Sequence, residues 1–378
     1  MNYRIGDLVE LVSETNSNLE YGLNDIIGVT LEKQMIPTIA NLTQTDLDDF
    51  IIVRPKDFVY NPRTHGKKIG LGFNTTDRCF ISTWNNNTFR VKPDMSHIII
   101  PEYLYLHFLR ERWDKEACFH AWGSSTVVLL WSSFCDMKIN VPPISVQRKI
   151  VHDYQVITDR IELLRKMNGN LEEQILAIYH QMFDADGVCH DGTISELGDV
   201  VGGATPSTEN PEYFCSDGIV WLSPKDLTGT GLKFIFKGET DITEKGYNSC
   251  STKMLPKGSV LLTSRAPVGT VAIAMKEMCT NQGFKSIVPK ADYWTAYIYC
   301  LLKDNKQLLE ANASGTTFLE ISGDTLKKLV VPIPDEETVK KFNDCCKPFF
   351  EQQMLFEKEY TQLSTLASVR VSSIAKGA

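Results

Sequence analysis

IGDLVELV at Ile5–Val12 returns in altered form as LGDVVGGA at Leu197–Ala204, 192 residues later. Three further pairs keep nearly the same spacing. RPKDFVYNPRTHGKKIGLGF (Arg54–Phe73) corresponds to LPKGSVLLTSRAPVGTVAIA (Leu255–Ala274) at an offset of about 199 to 202. GSSTVVLL (Gly123–Leu130) corresponds to GTTFLEIS (Gly315–Ser322), and KINVPPISVQRKIV (Lys138–Val151) to KKLVVPIPDEETVKKF (Lys327–Phe342). Two units of about 190 residues are too few for a stacked solenoid, which needs at least three. The chain must therefore build one module twice.

Each copy mixes short β-branched runs with turn signals such as NPR, SDG and PKG, the pattern of brief strands. Each also holds helical stretches, IPEYLYLHFLRERWDKEA and DYWTAYIYCLLKDNKQLLEA. Prolines at 142, 143, 332 and 334 close each module, because proline starts or stops a helix more readily than it sits inside one. The reading is α+β: two tandem mixed α/β domains at 1–143 and 186–334, followed by long helices over 144–185 and 335–378.

Those helices carry a seam. One heptad position holds Ile150, Ile157, Leu164, Leu171 and Ile178; the other holds Tyr154, Ile161, Asn168, Ile175 and Met182. The second copy repeats the frame with Phe342, Cys346, Phe349, Gln353, Phe356, Tyr360, Leu363 and Ala367, fading at Arg370. A strict four–three alternation predicts a coiled coil. With the helices antiparallel and their ends matched, Asn168 and Gln353 lie within about one turn, and we expect them to bond to each other or share a water and fix the register. From Ile150 to Met182 the helix measures roughly 48 Å at 1.5 Å per residue. That length matches about 14 base pairs of B-form DNA.

Charge points the same way. The net charge is −8, but Arg54–Lys92 carries +6 and Lys253–Lys290 carries +5, leaving −19 for the rest. Two basic islands at equivalent hairpins suit a polyanionic partner. The ten cysteines show neither C-x-x-C pairs nor zinc spacing, so they read as small buried hydrophobes of a reducing compartment. No apolar run approaches the ~20 residues of a membrane span, and no signal peptide is evident at the N-terminus. The expected location is cytoplasmic, with no membrane partner and no metal.

The ordered set of segments resembles the specificity subunits of type I restriction–modification enzymes. It comprises LGDVVGGATPSTENPEYF, IVWLSPKDL, GSVLLTSRAPVGTVAIA, NQGFKSIVP, SGTTFLEISGDTLKKLVVPIP and the PPISVQRKIV helix start. The resemblance implies two target-recognition domains related by a pseudo-twofold axis, with their helices in an antiparallel coiled coil. Each domain would read one half of a split DNA site. It further implies two methyltransferase subunits as partners, with S-adenosylmethionine bound there and no cofactor here, and a restriction subunit in some assemblies. The subunit itself would not be catalytic. Consistent with that, no Asp/Asn-Pro-Pro-Tyr/Phe or Walker motif is present. Asn61-Pro62-Arg63-Thr64 lacks the second proline and the aromatic that would stack on a flipped adenine. The first copy departs from the pattern more than the second, having Val12-Ser13-Glu14-Thr15-Asn16 where the second has Gly-Gly-Ala-Thr-Pro-Ser.

Arg265, at the tip of an apolar hairpin, is the leading candidate to meet phosphate or a base edge, since guanidinium can grip either bidentately. Lys257 and Lys276 are candidate phosphate contacts, with Lys253, Gln282 and Lys285 next and Lys225, Thr205 and Ser207 as loop contacts. In the first domain the candidates are Arg63, His65, Lys67, Lys68 and Arg78, beside the polar run Asn85–Asn87. Trp84, Trp122, Trp131 and Trp221 read as core. Two other readings stay open: a coiled-coil scaffold that does not read DNA, and the recognition part of a single-chain restriction or methylation enzyme.

Overall fold

The computed structural model describes residues 1–38, 45–65, 67–121, 127–184, 188–315 and 319–374. Its contacts divide the chain into two units, Met1–Ile161 with Gln362–Ala378, and Glu162–Thr361. Trp122, Gly123–Thr126 of the GSSTVVLL segment, Thr316–Phe318 of GTTFLEIS, and the side chain of His65 lie outside the described residues.

Unit 1 is built on an antiparallel sheet of Val9–Leu11 (β1), Phe58–His65 (β2), Lys68–Phe73 (β3) and Asn87–Val91 (β4), in the order β1-β4-β2-β3. A separate antiparallel pair, Asn2–Arg4 with Lys138–Asn140, ties the start of the unit to the strand before its helix. Beneath the sheet, Phe58 stacks on Phe73 and Phe89 at 4.6 and 4.9 Å, with Phe108 and Phe134 closing the cluster. Such stacked rings supply most of the apolar area that a small sheet can bury.

Unit 2 repeats this plan. Gly198–Gly202 (β5), Phe234–Ile235 (β6), Val260–Leu262 (β7), Val271–Ala274 (β8) and Lys285–Pro289 (β9) form a sheet in the order β5-β9-β7-β8-β6. The first four strands take the places of β1-β4-β2-β3, so the duplication read from the sequence is one of topology. Its opening register is corrected: the Lys92 and Lys290 N–H groups donate to the Leu8 and Leu197 carbonyls, so Leu8 corresponds to Leu197 and not to Val200. Cys189–Thr193 pairs with Val330–Pro334 as Asn2–Arg4 does with Lys138–Asn140. The copies differ in a second, four-stranded sheet of unit 2, Phe214–Cys215, Thr240–Ile242, Ile219–Leu222 and Cys279–Thr280.

Two long helices follow, Ile144–Phe183 (α1) and Glu336–Ser373 (α2). α1 starts directly after Pro143. The Asp335 carboxylate accepts the Thr338 N–H at 2.9 Å at the start of α2, satisfying a donor that the first helical turn leaves free. Within unit 2 the helices meet antiparallel: Arg165 donates to the Tyr360 hydroxyl (2.8 Å), Asn168 to Glu357 (3.4 Å), and Gln353 to Glu172 (3.0 Å). Within unit 1 the seam does not fade at Arg370. Val371 is buried, and Ile374 packs with Ile150 and Tyr154 in the unit's core. Among the described residues no helix is long and apolar enough to cross a membrane.

Candidate nucleic-acid interface

The turn between β7 and β8 is the part of unit 2 on which most of the quoted motifs converge. Thr263 closes it by donating its hydroxyl to the Pro267 carbonyl (2.6 Å) and accepting the Thr270 N–H (2.9 Å). Val268 is buried beneath it. Gly269 takes φ +87°, a left-handed conformation open chiefly to glycine, and Ala266 takes φ +56°. A left-handed alanine costs on the order of 1–2 kcal/mol, and strain of that kind concentrates at functional sites.

Four segments gather at this turn. The Ser264 N–H donates to Gly283 (2.8 Å), and Ser264 accepts from Ile321 (3.0 Å), joining the NQG and FLEIS segments to the hairpin. The GGATPS loop follows, because Gly203 lies where any Cβ would stand 2.0 Å from the Thr280 carbonyl. The Trp221 indole donates to the Ala204 carbonyl at 3.0 Å, and Pro224 abuts Gly283, bringing the WLSPKDL turn alongside. Thr205 thereby donates to Gln282 (2.5 Å), and the Lys285 ammonium reaches the Gln282 carbonyl (3.3 Å).

Arg265 is not a bare tip. It is 37% exposed, and its guanidinium lies 3.5 Å from Glu320, whose other oxygen lies 3.5 Å from Lys285. Glu320 comes from the GTTFLEIS segment, so one carboxylate orients two cations of the same cluster. Lys225 pairs with Glu239 at 3.0 Å on the exposed helix Pro224–Thr228, and Ser207 is exposed nearby in sequence. Thr205, Gln282, Arg265 and Lys285 are brought together. Lys257 and Lys276 are not: they flank the other ends of β7 and β8, and the Leu255–Met278 bridge holds Lys253 at that end too.

In unit 1, β2 and β3 form the equivalent hairpin, with a register shift between Tyr60 and Thr64. Arg63 is exposed within β2, short of the turn, because the bulge absorbs the extra residues. Lys67 occupies the turn with φ +74°, and Lys68 opens β3. Arg78 pairs with Asp25 at 3.3 Å and lies over the Phe80 ring.

The basic islands are smaller in space than in sequence. Arg54 pairs with Glu14, Lys56 with Glu102 and Arg90 with Asp57, each acid coming from elsewhere in the chain or the turn. Among the described residues, Arg63, Lys67, Lys68, Lys253, Lys257 and Lys276 have no acidic partner within ion-pair distance.

The helix register rests on more than Asn168 and Gln353. Gln353 is 1% exposed and donates to the Asn168 backbone carbonyl at 3.2 Å, while the Asn168 side chain turns to Glu357. The expected pair therefore meets through backbone rather than side chain. Between the helices and β6 lies a charged core that the heptad reading missed. Lys233, 5% exposed, pairs with Glu172 (3.0 Å), donates to Gln353 (2.9 Å), and sits 4.1 and 3.8 Å from the Tyr299 and Phe350 ring centres. Glu357 accepts the backbone N–H groups of Lys233 and Phe234, both at 3.0 Å. Burial pushes the Glu172 carboxyl up, but Lys233 and Lys303 overcome it and hold it down at about 2. Burial wins for Glu357, whose carboxyl is raised. The signal was a lysine inside the apolar run Leu232–Ile235, and a glutamate one residue past each seam residue Leu171 and Phe356.

This architecture and these loops have counterparts. Residues 190–364 match the type I restriction modification DNA specificity domain. The MjaIX specificity subunit of Methanocaldococcus jannaschii is 41% identical over 174 residues, covering 44% of this chain and 40% of that one. The HindI specificity subunit of Haemophilus influenzae is 21% identical over 80% of this chain and 82% of its own. The S subunit of a type I restriction–modification system from M. genitalium shares the fold, with TM-score 0.56 over 98% of this chain and 95% of that one at 14% identity. The second half of the chain thus resembles the DNA specificity domain of type I specificity subunits. The chain covers 40% of the MjaIX subunit's length, and the stretch 190–364 that matches the specificity domain carries the GGATPS, SPKDL and NQG loops.

Proposed function

We propose that the chain is the non-catalytic reader of a type I restriction–modification complex, each module contacting one half of a bipartite DNA site. The convergence of Thr205, Arg265, Gln282 and Lys285 on one hairpin turn carries this reading. A guanidinium, an amide, a hydroxyl and an ammonium offer the donors and acceptors that read base edges and grip phosphate. The same sheet order in unit 1 supplies a second such turn with different side chains, as two unlike half-sites require. The long helices would hold the modules apart and present a surface to two methyltransferase subunits, which would bind S-adenosylmethionine and transfer the methyl group to adenine N6. A restriction subunit joins such a core where one is made. The complex would act in the cytoplasm.

The alternative, a scaffold that does not read DNA, separates cleanly from this one. Binding of the chain, assembled with its methyltransferase, to a fluorescent duplex of mixed sequence would be followed by anisotropy as salt rises. A reader gripping several phosphates loses affinity steeply, with a log–log slope of about −0.9 per contact. No binding at low salt by an intact assembly would remove the reading.

A further inference from the structure

Trp84 stands where a core residue was expected, yet it is 69% exposed. Of the other described tryptophans, Trp113 and Trp294 are fully buried and Trp131 and Trp221 partly so. A lone exposed apolar side chain needs no explanation by itself. Its position in the repeat supplies one.

Phe89 in β4 pairs with both Leu11 and Phe58. Ile287 in β9 pairs with both Val200 and Val260. The two residues are therefore the same place in the two sheets. Five residues before them stand Trp84 and Gln282. The loops agree in detail: Asn86 N–H donates to the Thr83 carbonyl at 3.0 Å, and Phe284 N–H to the Asn281 carbonyl at 3.3 Å. Trp84 and Gln282 are the second residues of one and the same turn, which also abuts the hairpin that carries Arg265 in unit 2. The unit 1 turn is pinned from inside by Asn86, whose amide donates to the Ser82 hydroxyl at 3.0 Å. The indole is thus presented by a fixed backbone.

We infer that Trp84 is a DNA-contacting, sequence-discriminating residue of unit 1, in the role that Gln282 fills in unit 2; this rests on the DNA-reading proposal above. The chemistry of the two turns differs. Gln282 offers an amide that can bond two atoms of an adenine edge. Trp84 offers a rigid apolar face and one N–H, suited to a thymine methyl or a deoxyribose. The exchange of an amide for an indole at one turn lets a duplicated fold read two different half-sites.

The test compares N6-methyladenine maps made by wild type, Trp84→Ala and Gln282→Ala, each co-expressed with the methyltransferase. Wild type must first give a bipartite motif; if it does not, the reading of the whole chain fails and not this inference. Given that motif, W84A should relax or abolish recognition at one half and leave the other intact, and Q282A should do the reverse. In parallel, wild-type assembly with and without its site would be treated with N-bromosuccinimide and oxidation at Trp84 read by mass spectrometry. DNA should slow that oxidation at least fivefold. An unchanged W84A map, or equal oxidation with and without DNA, would overturn the assignment, and the second result holds even if W84A does not fold.

Discussion

At the scale of single residues, Arg265 and Glu320 set the character of the unit 2 turn. An exposed guanidinium grips any phosphate; under the proposed reading, one held 3.5 Å from a carboxylate would exchange that partner for DNA, which penalises contacts that do not repay it. Arg265→Ala should therefore weaken binding to the cognate site by about 10- to 100-fold, the 1–3 kcal/mol of a good bidentate contact. Glu320→Gln should strengthen binding to mixed-sequence DNA while narrowing the cognate preference. Anisotropy titrations on both duplexes check this, and equal effects on cognate and mixed DNA would assign Arg265 to phosphate alone. The sequence made Arg265 visible because an arginine in an apolar hairpin is anomalous. It did not show Glu320, which lies 55 residues away and whose segment is tied to the turn by the Ser264–Ile321 bond.

At the scale of elements, the heptads specified two long helices packed along an apolar seam, because a seven-residue period leaves little other use for the apolar stripe. Their antiparallel sense was implied only by the resemblance. What holds helix to sheet was less legible. Lys233, Glu172 and Glu357 sit on three elements, and no periodic pattern links them. Glu172 is held at about 2 against an ordinary value near 4.5. Its ionised form is thus favoured by folding, with the benefit complete above about 4.5 and lost as pH falls toward 2. Glu357, raised by burial, works in the opposite sense, costing stability as pH rises through its folded value. Glu172→Gln strands Lys233 beside a neutral amide and should cost about 3 kcal/mol in unit 2, while flattening its loss of stability between about pH 4.5 and 2. Denaturant melts over that range measure both; a variant as stable as wild type at pH 7 would contradict the role given to this cluster.

At the scale of the whole molecule, the duplication was the most legible feature. Sheet order, the tie strands and the helix starts all follow from two copies of one pattern. Charge was the least reliable guide, since acids from distant segments neutralise several of the islands' cations, and Lys253, Lys257 and Lys276 lie at the far end of the hairpin from Arg265. Trp84 was misread because burial statistics describe tryptophan in general, whereas the repeat register describes this turn. The central claim is that one fold, written twice, reads two half-sites. The most direct measurement is a single-molecule map of N6-methyladenine in a host expressing this chain with its methyltransferase, compared with the same host lacking the chain. The account predicts one new bipartite motif with a fixed gap that disappears with the chain. An assembled complex that leaves no new motif would contradict it.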